Sequence, residues 1–221
     1  MSDSLDYDFF LSHRWKDPGM NPWFGKLAVL ACLLGFIVIR APHGRRSRTV
    51  RVKEDRKGVL EIVLLIGVTL GTTLLPLIWV ATGFPARADY PLHPVPCALG
   101  LLAMAAGLWL LYRSHTDLGT NWSVTLQTRE DHRLVTAGIY ERIRHPMYAS
   151  MFLLSIAHLL FVPNWIVAPA YLLTFGMLYV FRVAHEERMM LDRFGSDYQT
   201  YMRRTGRLIP RLRKPKDHID A

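Results

Sequence analysis

Cysteine is scarce in this 221-residue chain, which contains Cys32 and Cys97 alone. There is no Cys-x-x-Cys pair and no Cys/His cluster at metal-ligand spacing, so the sequence predicts neither a disulfide nor a metal site. It also lacks the Gly-rich loops that bind nucleotides in soluble folds. The stretch His185–Met189 begins like a zinc-binding HExxH motif, but Met189 stands where the second histidine is required. These absences argue against soluble nucleotide-binding enzymes and zinc hydrolases.

The N-terminal region lacks the basic segment of a secretory leader and carries Asp3, Asp6 and Asp8 in its place. No convincing small-residue cleavage site follows Ile39. We therefore expect the first apolar block to be a retained membrane span.

The chain is rich in apolar residues, which make up 51% of it and are gathered into long blocks. In hydrocarbon each backbone polar group must be bonded within its own segment, so a block of about 20 apolar residues is predicted to form a helix. The predicted spans are Trp23–Ile39, Val59–Phe84, Val95–Tyr112, Met147–Val162 and Trp165–Phe181. The last two spans are predicted to form a hairpin around Pro163-Asn164. In the second span, Pro76 predicts a kink. Glu61, near the start of that span, is interpreted as a snorkelling or interfacial side chain.

The predicted fold class is all-α, a polytopic membrane bundle of about five transmembrane helices with a cytoplasmic C-terminal helical cap. We expect a single membrane-embedded domain over residues 1–221, with the first three spans in residues 1–112. The net charge of +9 lies between and after the apolar blocks, which indicates contact with a lipid bilayer and not with nucleic acid.

Positive charge alternates along the connections between spans. Arg40–Lys57 holds eight Lys and Arg, Arg113–Pro146 holds five, and the chain from Arg182 onward holds ten. The N-terminus before Trp23 holds two and Pro85–Pro94 holds one. The positive-inside rule then predicts an N-terminus outside and a C-terminus in the cytoplasm.

One polar cluster opens the fourth span. Pro146 suits the first turn of a helix, so Arg144 and His145 lie beside unpaired N–H groups at the positive end of the helix dipole. That position favours binding of a carboxylate or a phosphate. The alternative is that Arg144 only marks the cytoplasmic boundary and that His145 is solvated.

A second cluster, Glu186 and Glu187, ends the fifth span. Carboxylates at a helix C-terminus oppose the dipole and cost roughly 0.3–1 kcal/mol each, so they need a compensating partner. The partner is either a ligand with hydroxyls or positive charge, or one of Arg182, Arg188 and Arg144 through an ion pair. Adjacent helical residues point about 100° apart, so one glutamate can face the bundle while the other faces water.

Together these clusters resemble the isoprenylcysteine carboxyl methyltransferase (ICMT) family, with its bacterial relatives and the phospholipid methyltransferases. That family has Gly-x-Tyr, then Arg-His-Pro-x-Tyr opening a membrane helix, then Glu-Glu, Phe-Gly, two spaced tyrosines, a basic residue and a proline. The matching residues are Gly138, Tyr140, Arg144, His145, Pro146, Tyr148, Glu186, Glu187, Phe194, Gly195, Tyr198, Tyr201, Arg204 and Pro210. Leu118–Ser123 also resembles bacterial members, and the resemblance covers about the C-terminal half of the chain.

The resemblance implies a methyltransferase that uses S-adenosyl-L-methionine, releases S-adenosyl-L-homocysteine and binds the cofactor with residues 113–221. The implied cofactor-binding residues are Gly138, Tyr140, Arg144, His145, Pro146, Tyr148, Glu186, Glu187 and Tyr198. Arg204 and Glu187 are implied in catalysis, and Asn121, Trp122 and Arg204 in binding the acceptor. Alternatively, Arg203, Arg204 and Arg207 form a basic run that only touches anionic lipid.

The leading acceptor is a lipophilic small molecule with a prenylcysteine-like carboxylate or thiol, which enters sideways from the membrane. Three alternatives stay open: a phospholipid amine N-methyltransferase, an NADPH-dependent sterol-type membrane reductase and a non-catalytic membrane scaffold. The likeness to bacterial members implies a bacterial inner membrane. The sequence does not determine the oligomeric state.

Overall fold

The computed structural model describes residues 19–47, 52–55, 58–119, 127–129 and 134–211. Its helices are α1 (Trp23–Ser47), α2 (Val59–Thr69), α3 (Leu75–Thr82), α4 (Pro94–Leu118), α5 (Pro146–Phe161) and α6 (Val167–Arg204). A π-helical turn, Leu70–Leu74, joins α2 to α3, and 3-10 turns lie at Ala86–Ala88 and Gly138–Glu141. The predicted helical membrane fold is confirmed.

Two short strands are the departure from a purely helical chain. Strand β1 (Val52–Asp55) pairs antiparallel with β2 (Gln127–Arg129), with Val52 opposite Arg129 and Asp55 opposite Gln127. They lie in the two connections that carry eight and five basic residues. The pairing joins two connections that the positive-inside rule assigns to the same membrane side.

The protein is an integral, multi-pass membrane protein. Four helical segments are long and apolar enough to span a bilayer by length and composition: Trp23–Gly44, Val59–Thr82, Pro94–Leu118 and Val167–Arg204. Helix α5 is apolar but has 16 residues. Each of the five predicted spans is therefore helical, and the fourth is shorter than the others.

Helix α6 continues past Phe181, where the fifth span is predicted to end, runs without interruption to Gly195 and ends at Arg204. The residues after Phe181 include Ala, Glu, Arg and Met, which favour helix even outside the membrane. A π-helical turn ends just before Pro76, and the kink expected there stays a prediction. Pro76 lies in the first turn of α3, where its missing N–H costs little.

The core lies where α5 packs between α4 and α6, with α1 against α4 and α2 against α6. Val29, Leu111 and Leu154 are among its fully buried side chains. Gly107 lets α4 approach the Leu154 side chain closely, as small residues commonly do between membrane helices. Large apolar side chains elsewhere on these helices are exposed, which suits contact with lipid: Leu27, Leu34, Val63, Ile66, Leu102, Trp109 and Val180.

A hydrogen-bonded network closes one end of the bundle. The buried Asn164 side chain donates to Asp89 Oδ1 at 2.6 Å and to the Pro85 carbonyl at 3.0 Å. Its oxygen accepts the N–H groups of Ile166 and Val167 at 3.0 and 2.9 Å, which satisfies the start of α6. We call these residues, with Trp79, the Asn164 network, because Trp79 Nε1 also donates to Asp89 at 3.0 Å.

Candidate active site

At the opposite end of the bundle, the chain after α6 returns to the entrance of α5. The Arg144 and His145 N–H groups donate to the carbonyls of Gly206 and Arg207 at 2.8 and 3.0 Å. The Gly206 N–H donates back to the Arg142 carbonyl at 3.1 Å. These bonds bring together two motif regions that lie about sixty residues apart in the sequence.

The glycine of the Phe-Gly motif makes this return possible. Gly195 has φ 50° and ψ −121°, a conformation open to glycine and strained for other residues, and it interrupts α6. The last turns of α6 are thereby redirected, and Tyr198 and Tyr201 are buried with their rings 5.9 Å apart. The Tyr201 hydroxyl donates to the Tyr140 carbonyl at 2.7 Å.

Gly138 and Tyr140 belong to the 3-10 turn that precedes the entrance of α5. Gly138 has φ +64°, and a Cβ there would collide with the Asp117 carboxylate, which accepts the Ile139 N–H at 2.8 Å. The Tyr140 hydroxyl is buried and donates to the Ser114 carbonyl at 3.3 Å. Burial raises the pKa of Tyr140, so its hydroxyl stays a neutral donor. Both residues have structural partners, and their contact with a cofactor stays a prediction.

Glu187 is the centre of the site, because the side chains of Arg144, His145 and Arg207 converge on its carboxylate. Arg144 Nε and His145 Nε2 lie 3.3 and 3.2 Å from Oε1, and Arg207 Nε donates to the same oxygen at 3.1 Å. Arg207 also pairs with Oε2. The Glu187 side chain is 7% exposed and that of Arg207 47%. The hydrogen bonds to Glu187 raise the pKa of Arg207 above its ordinary value.

Arg144 also holds the end of α6. Its Nη1 donates to the carbonyls of Thr205 and Met202 at 2.6 and 3.1 Å, so the guanidinium binds carbonyls that a helix C-terminus leaves unsatisfied. The side chain is 8% exposed, so the interpretation of Arg144 as a simple boundary marker is wrong. The ion-pair alternative for the glutamates is confirmed for Glu187 and Arg144. Arg207, which belongs to the basic run that could only touch anionic lipid, is a further partner of Glu187.

Glu186 is the more accessible glutamate of the pair, with its side chain 30% exposed. Its Oε2 lies 3.8 Å from His145 Nδ1 and its Oε1 lies 3.9 Å from Arg182 Nη2. Charge-assisted hydrogen bonds to carboxylates are typically about 2.7–2.9 Å long. Tyr148 lies beside this pair, with its ring 5.6 Å from that of His145. Glu186 is therefore the carboxylate that a ligand can reach more readily.

Glu61 lies near the start of its span as expected, but its carboxylate is buried and does not snorkel to solvent. Glu61, in the first turn of α2, is 7% exposed, and its Oε1 lies 3.5 Å from Arg182 Nη1. The sequence pattern does not reveal this contact because the two residues lie far apart in the chain. Helix α2 packs on α6, and this packing turns Glu61 inward.

The remaining predicted residues have different environments. Pro146 is buried in the first turn of α5. Arg204 is exposed and lies outside the Glu187 cluster, and its acceptor role stays a prediction. Asn121 and Trp122 lie outside the described residues. Within the described part of the chain, no group of three or more His, Cys, Asp or Glu side chains is placed to hold a metal ion.

Comparison with known proteins finds a family resemblance in the segment that contains most of this arrangement. Residues 98–192 match the isoprenylcysteine carboxyl methyltransferase (ICMT) family, a segment that contains both the α5 entrance and the glutamate pair. This segment is ICMT-like. The resemblance inferred from the motifs is thereby confirmed, and Glu61 and Arg207 lie outside the matched segment.

Two curated relatives are named protein-S-isoprenylcysteine O-methyltransferase. The one from Tribolium castaneum is 34% identical over 114 residues, covering 51% of this chain and 41% of the relative. The one from Homo sapiens is 30% identical over 119 residues, covering 53% and 42%. This chain therefore spans less than half the length of these relatives.

A solved structure shares the fold. It is that of the eukaryotic intramembrane Ras methyltransferase ICMT, and it superposes with a TM-score of 0.54 at 22% identity. The match covers 88% of this chain and 68% of that one. At this level of identity the likeness extends to the helical membrane fold.

Proposed function

We propose that this protein is an integral membrane methyltransferase that transfers a methyl group from S-adenosyl-L-methionine to a lipophilic acceptor at the cytoplasmic membrane face, as a single membrane-embedded domain. One observation carries the proposal. The Arg-His-Pro motif, the glutamate pair and the returning C-terminal segment, which the ICMT family shares as a set, meet at one end of an apolar helical bundle.

The side chains present fit this cofactor chemically. S-adenosyl-L-methionine supplies a methyl group bound to a sulfonium, together with an amino-acid carboxylate and ribose hydroxyls. The N-terminus of α5, with Arg144, His145 and Arg207 beside it, offers positive charge for a carboxylate. The accessible carboxylate of Glu186 offers an acceptor for hydroxyls and a counter-charge for the sulfonium.

Within this proposal the two glutamates act differently. Glu187 fixes the directions of Arg144, His145 and Arg207 and acts as a positioning residue, because its oxygens already bind these three side chains. Glu186 binds the cofactor, with Tyr140, Tyr148 and Tyr198 lining the same region. Methyl transfer from a sulfonium is an in-line displacement, so orientation of the two reactants supplies most of the rate enhancement.

The acceptor in this proposal carries a prenylcysteine-like carboxylate or thiol and approaches from the bilayer. The exposed apolar side chains of α2 and α6 suit a lipophilic molecule that reaches the site sideways. Arg204 assists at the acceptor side. We also infer a bacterial inner membrane, with the N-terminus outside and the C-terminus in the cytoplasm, supported by the uneven distribution of Lys and Arg.

Two measurements on the purified protein test the function. Titration calorimetry in detergent with S-adenosyl-L-homocysteine is expected to show saturable binding, which neither a membrane scaffold nor an NADPH-dependent reductase predicts. Transfer of a labelled methyl group is then measured into a prenylcysteine, a prenyl thiol and phosphatidylethanolamine. Absence of both binding and transfer would contradict the proposal. Transfer into the phospholipid alone would replace the acceptor while leaving methyl transfer intact.

A further inference from the structure

A buried ion pair between Glu61 of α2 and Arg182 of α6 lies next to the candidate active site. Both side chains are less than a tenth exposed, and both helices are candidate membrane spans. Removing two charges from water costs several kcal/mol per ion, and apolar side chains often stabilise a fold equally well. Ionisable residues inside membrane helices commonly mark functional sites. A role beyond stability is therefore expected for this pair.

The pair reaches the site through Glu186. Arg182 Nη1 lies 3.5 Å from Glu61 Oε1, and Nη2 of the same guanidinium lies 3.9 Å from Glu186 Oε1. Arg182 and Glu186 are four residues apart on α6, so they lie on one face of that helix. The guanidinium therefore lies between two carboxylates, one from α2 and one that we assign to cofactor binding.

The two oxygens of Glu186 differ in their surroundings. Oε2 is buried and lies 3.8 Å from His145 Nδ1 at the entrance of α5. The Glu186 side chain as a whole is 30% exposed, so a ligand that binds its carboxylate reaches Oε1 more readily than Oε2. Oε1 is also the oxygen that Arg182 faces. The position of Arg182 therefore determines how well Oε1 can accept a hydrogen bond from a ligand.

Glu61 acts on that position. A direct charge-assisted hydrogen bond between a guanidinium and a carboxylate is typically about 2.7–2.9 Å long, so Arg182 needs to move by only roughly 1 Å to bind Glu186 Oε1. Glu61 attracts the guanidinium from the other side, at the shorter distance of 3.5 Å. Its charge opposes the movement that would occupy Oε1.

We propose that Glu61 is a positioning residue for the cofactor site, which holds Arg182 back from Glu186 so that Oε1 of Glu186 stays available to S-adenosyl-L-methionine. This inference rests on the proposed methyl transfer and deepens it by adding a residue that sets cofactor affinity. Arg182 stays buried and contacts neither reactant. Because Glu61 lies outside the ICMT-like segment 98–192, a helix that precedes this segment contributes to cofactor binding.

The decisive variant is Glu61→Gln, which keeps the side-chain shape and removes the charge. We expect its Kd for S-adenosyl-L-homocysteine, measured by calorimetry in detergent, to rise at least about fivefold, because Arg182 then binds Glu186 Oε1 directly. The acceptor KM at saturating S-adenosyl-L-methionine should change by less than about twofold. Asp89→Asn, a carboxylate hydrogen-bonded at the opposite end of the bundle, is the matched control and should leave the Kd unchanged. An unchanged Kd in Glu61→Gln would overturn the proposal.

Glu61→Asp separates charge from shape. The shorter carboxylate keeps its charge but holds Arg182 less closely, so the Kd should rise at least about twofold and remain below that of Glu61→Gln. A Kd equal to or above that of Glu61→Gln would contradict a role for the charge. If Glu61→Gln does not fold, Glu61→Asp replaces it in every comparison, and an unchanged Kd in this variant would refute the proposal.

A double-mutant cycle separates positioning from simple support of the fold. In a Glu186→Gln background, Glu61→Gln should change the Kd by less than about twofold, because no Glu186 carboxylate remains for Arg182 to occupy. A general loosening of the bundle predicts the same rise in both backgrounds, and that result would overturn the proposal. If Glu186→Gln binds too weakly to measure, the comparison of Gln with Asp at position 61 decides the outcome.

The wild type distinguishes this inference from the proposed function. Absence of both S-adenosyl-L-homocysteine binding and methyl transfer in the wild type would overturn both. Binding and transfer in the wild type, with a Glu61→Gln variant of equal cofactor affinity, would overturn the role of Glu61 alone and leave methyl transfer standing.

Discussion

The two ends of the bundle bury polar groups in different ways. In the Asn164 network, an amide and a carboxylate make hydrogen bonds of 2.6–3.0 Å, most of them with backbone groups and the Trp79 ring. Around Glu187, Arg144 and His145 from the α5 entrance and Arg207 from the chain after α6 share one carboxylate, and the neighbouring contacts of Glu186 reach 3.8 and 3.9 Å.

The Asn164 network closes the fold, whereas the charged end around Glu187 is suited to bind a ligand. Short bonds to backbone groups satisfy the start of α6 and the preceding turn, and they leave little for a ligand to gain. The contacts of Glu186 at 3.8 and 3.9 Å are longer than charge-assisted hydrogen bonds, so this carboxylate can still form a hydrogen bond with a ligand. We therefore expect substitutions at the Asn164 network to affect stability, and those at the charged end to affect binding and catalysis as well.

The largest expected effect is that of Glu187→Gln. Loss of this charge leaves Arg144, His145 and Arg207 without their shared counter-ion, and breaking a buried ion pair typically costs about 3–5 kcal/mol. We expect a lower thermal midpoint in detergent and loss of S-adenosyl-L-homocysteine binding by calorimetry. Asp197→Asn, an exposed carboxylate on the same helix, is the control and should leave both unchanged. Wild-type stability in Glu187→Gln would refute the central role of Glu187.

The second effect tests the opposite end. Asn164→Ala removes two bonds at the start of α6 and the bonds to Asp89 and Pro85, so we expect a loss of about 2 kcal/mol in unfolding free energy. Thermal unfolding measures this loss. Cofactor affinity and kcat of the folded protein should match the wild type. A loss of cofactor affinity without a loss of stability would contradict the expectation that the Asn164 network affects stability alone.

A smaller effect is expected from Arg204→Ala, which tests the predicted acceptor role of this exposed residue. If Arg204 orients the acceptor, kcat/KM should fall about tenfold, or about 1.4 kcal/mol, at unchanged cofactor affinity. Arg203→Ala, its exposed neighbour, is the control for general positive charge. Equal and small effects in steady-state kinetics of both variants would leave the basic run as a membrane contact.

The smallest effect is expected from Trp79→Phe, which keeps an aromatic ring in the core and removes the N–H donor to Asp89. Asp89 retains the hydrogen bond from Asn164, so the loss should be about 1 kcal/mol of stability. Thermal unfolding resolves this shift, and kcat/KM should not change. A larger loss than in Asn164→Ala would mean that Trp79, and not Asn164, dominates this end.

Several features of the site are predictable from local sequence. The position of Pro146 in the first turn of α5 follows from its fixed φ, and the proximity of Arg144 and His145 to that helix N-terminus follows from Pro146. The helical hairpin follows from two apolar blocks separated by Pro163-Asn164. The break at Gly195 coincides with the Phe-Gly motif, although its direction is not a property of local sequence.

The partners of the charged residues are not predictable in this way. Arg207 looks like one of several basic residues in a run, yet it binds Glu187, whereas Arg204, three positions earlier, lies outside this cluster. That distinction depends on the turn after α6 and on the backbone bonds from Arg144 and His145 to Gly206 and Arg207. Glu61 likewise looks interfacial until α2 packs on α6 and brings it to Arg182.

The sequence by itself determined the membrane helices, the ICMT-like motif set and the predicted orientation, because apolar length, proline position and charge distribution act locally along the chain. The tertiary structure decided which of two adjacent glutamates is bound by cations and which stays accessible. It also decided that Glu61, in an N-terminal helix, pairs with Arg182 of α6. These outcomes depend on distances between residues of different helices, and helix packing sets those distances.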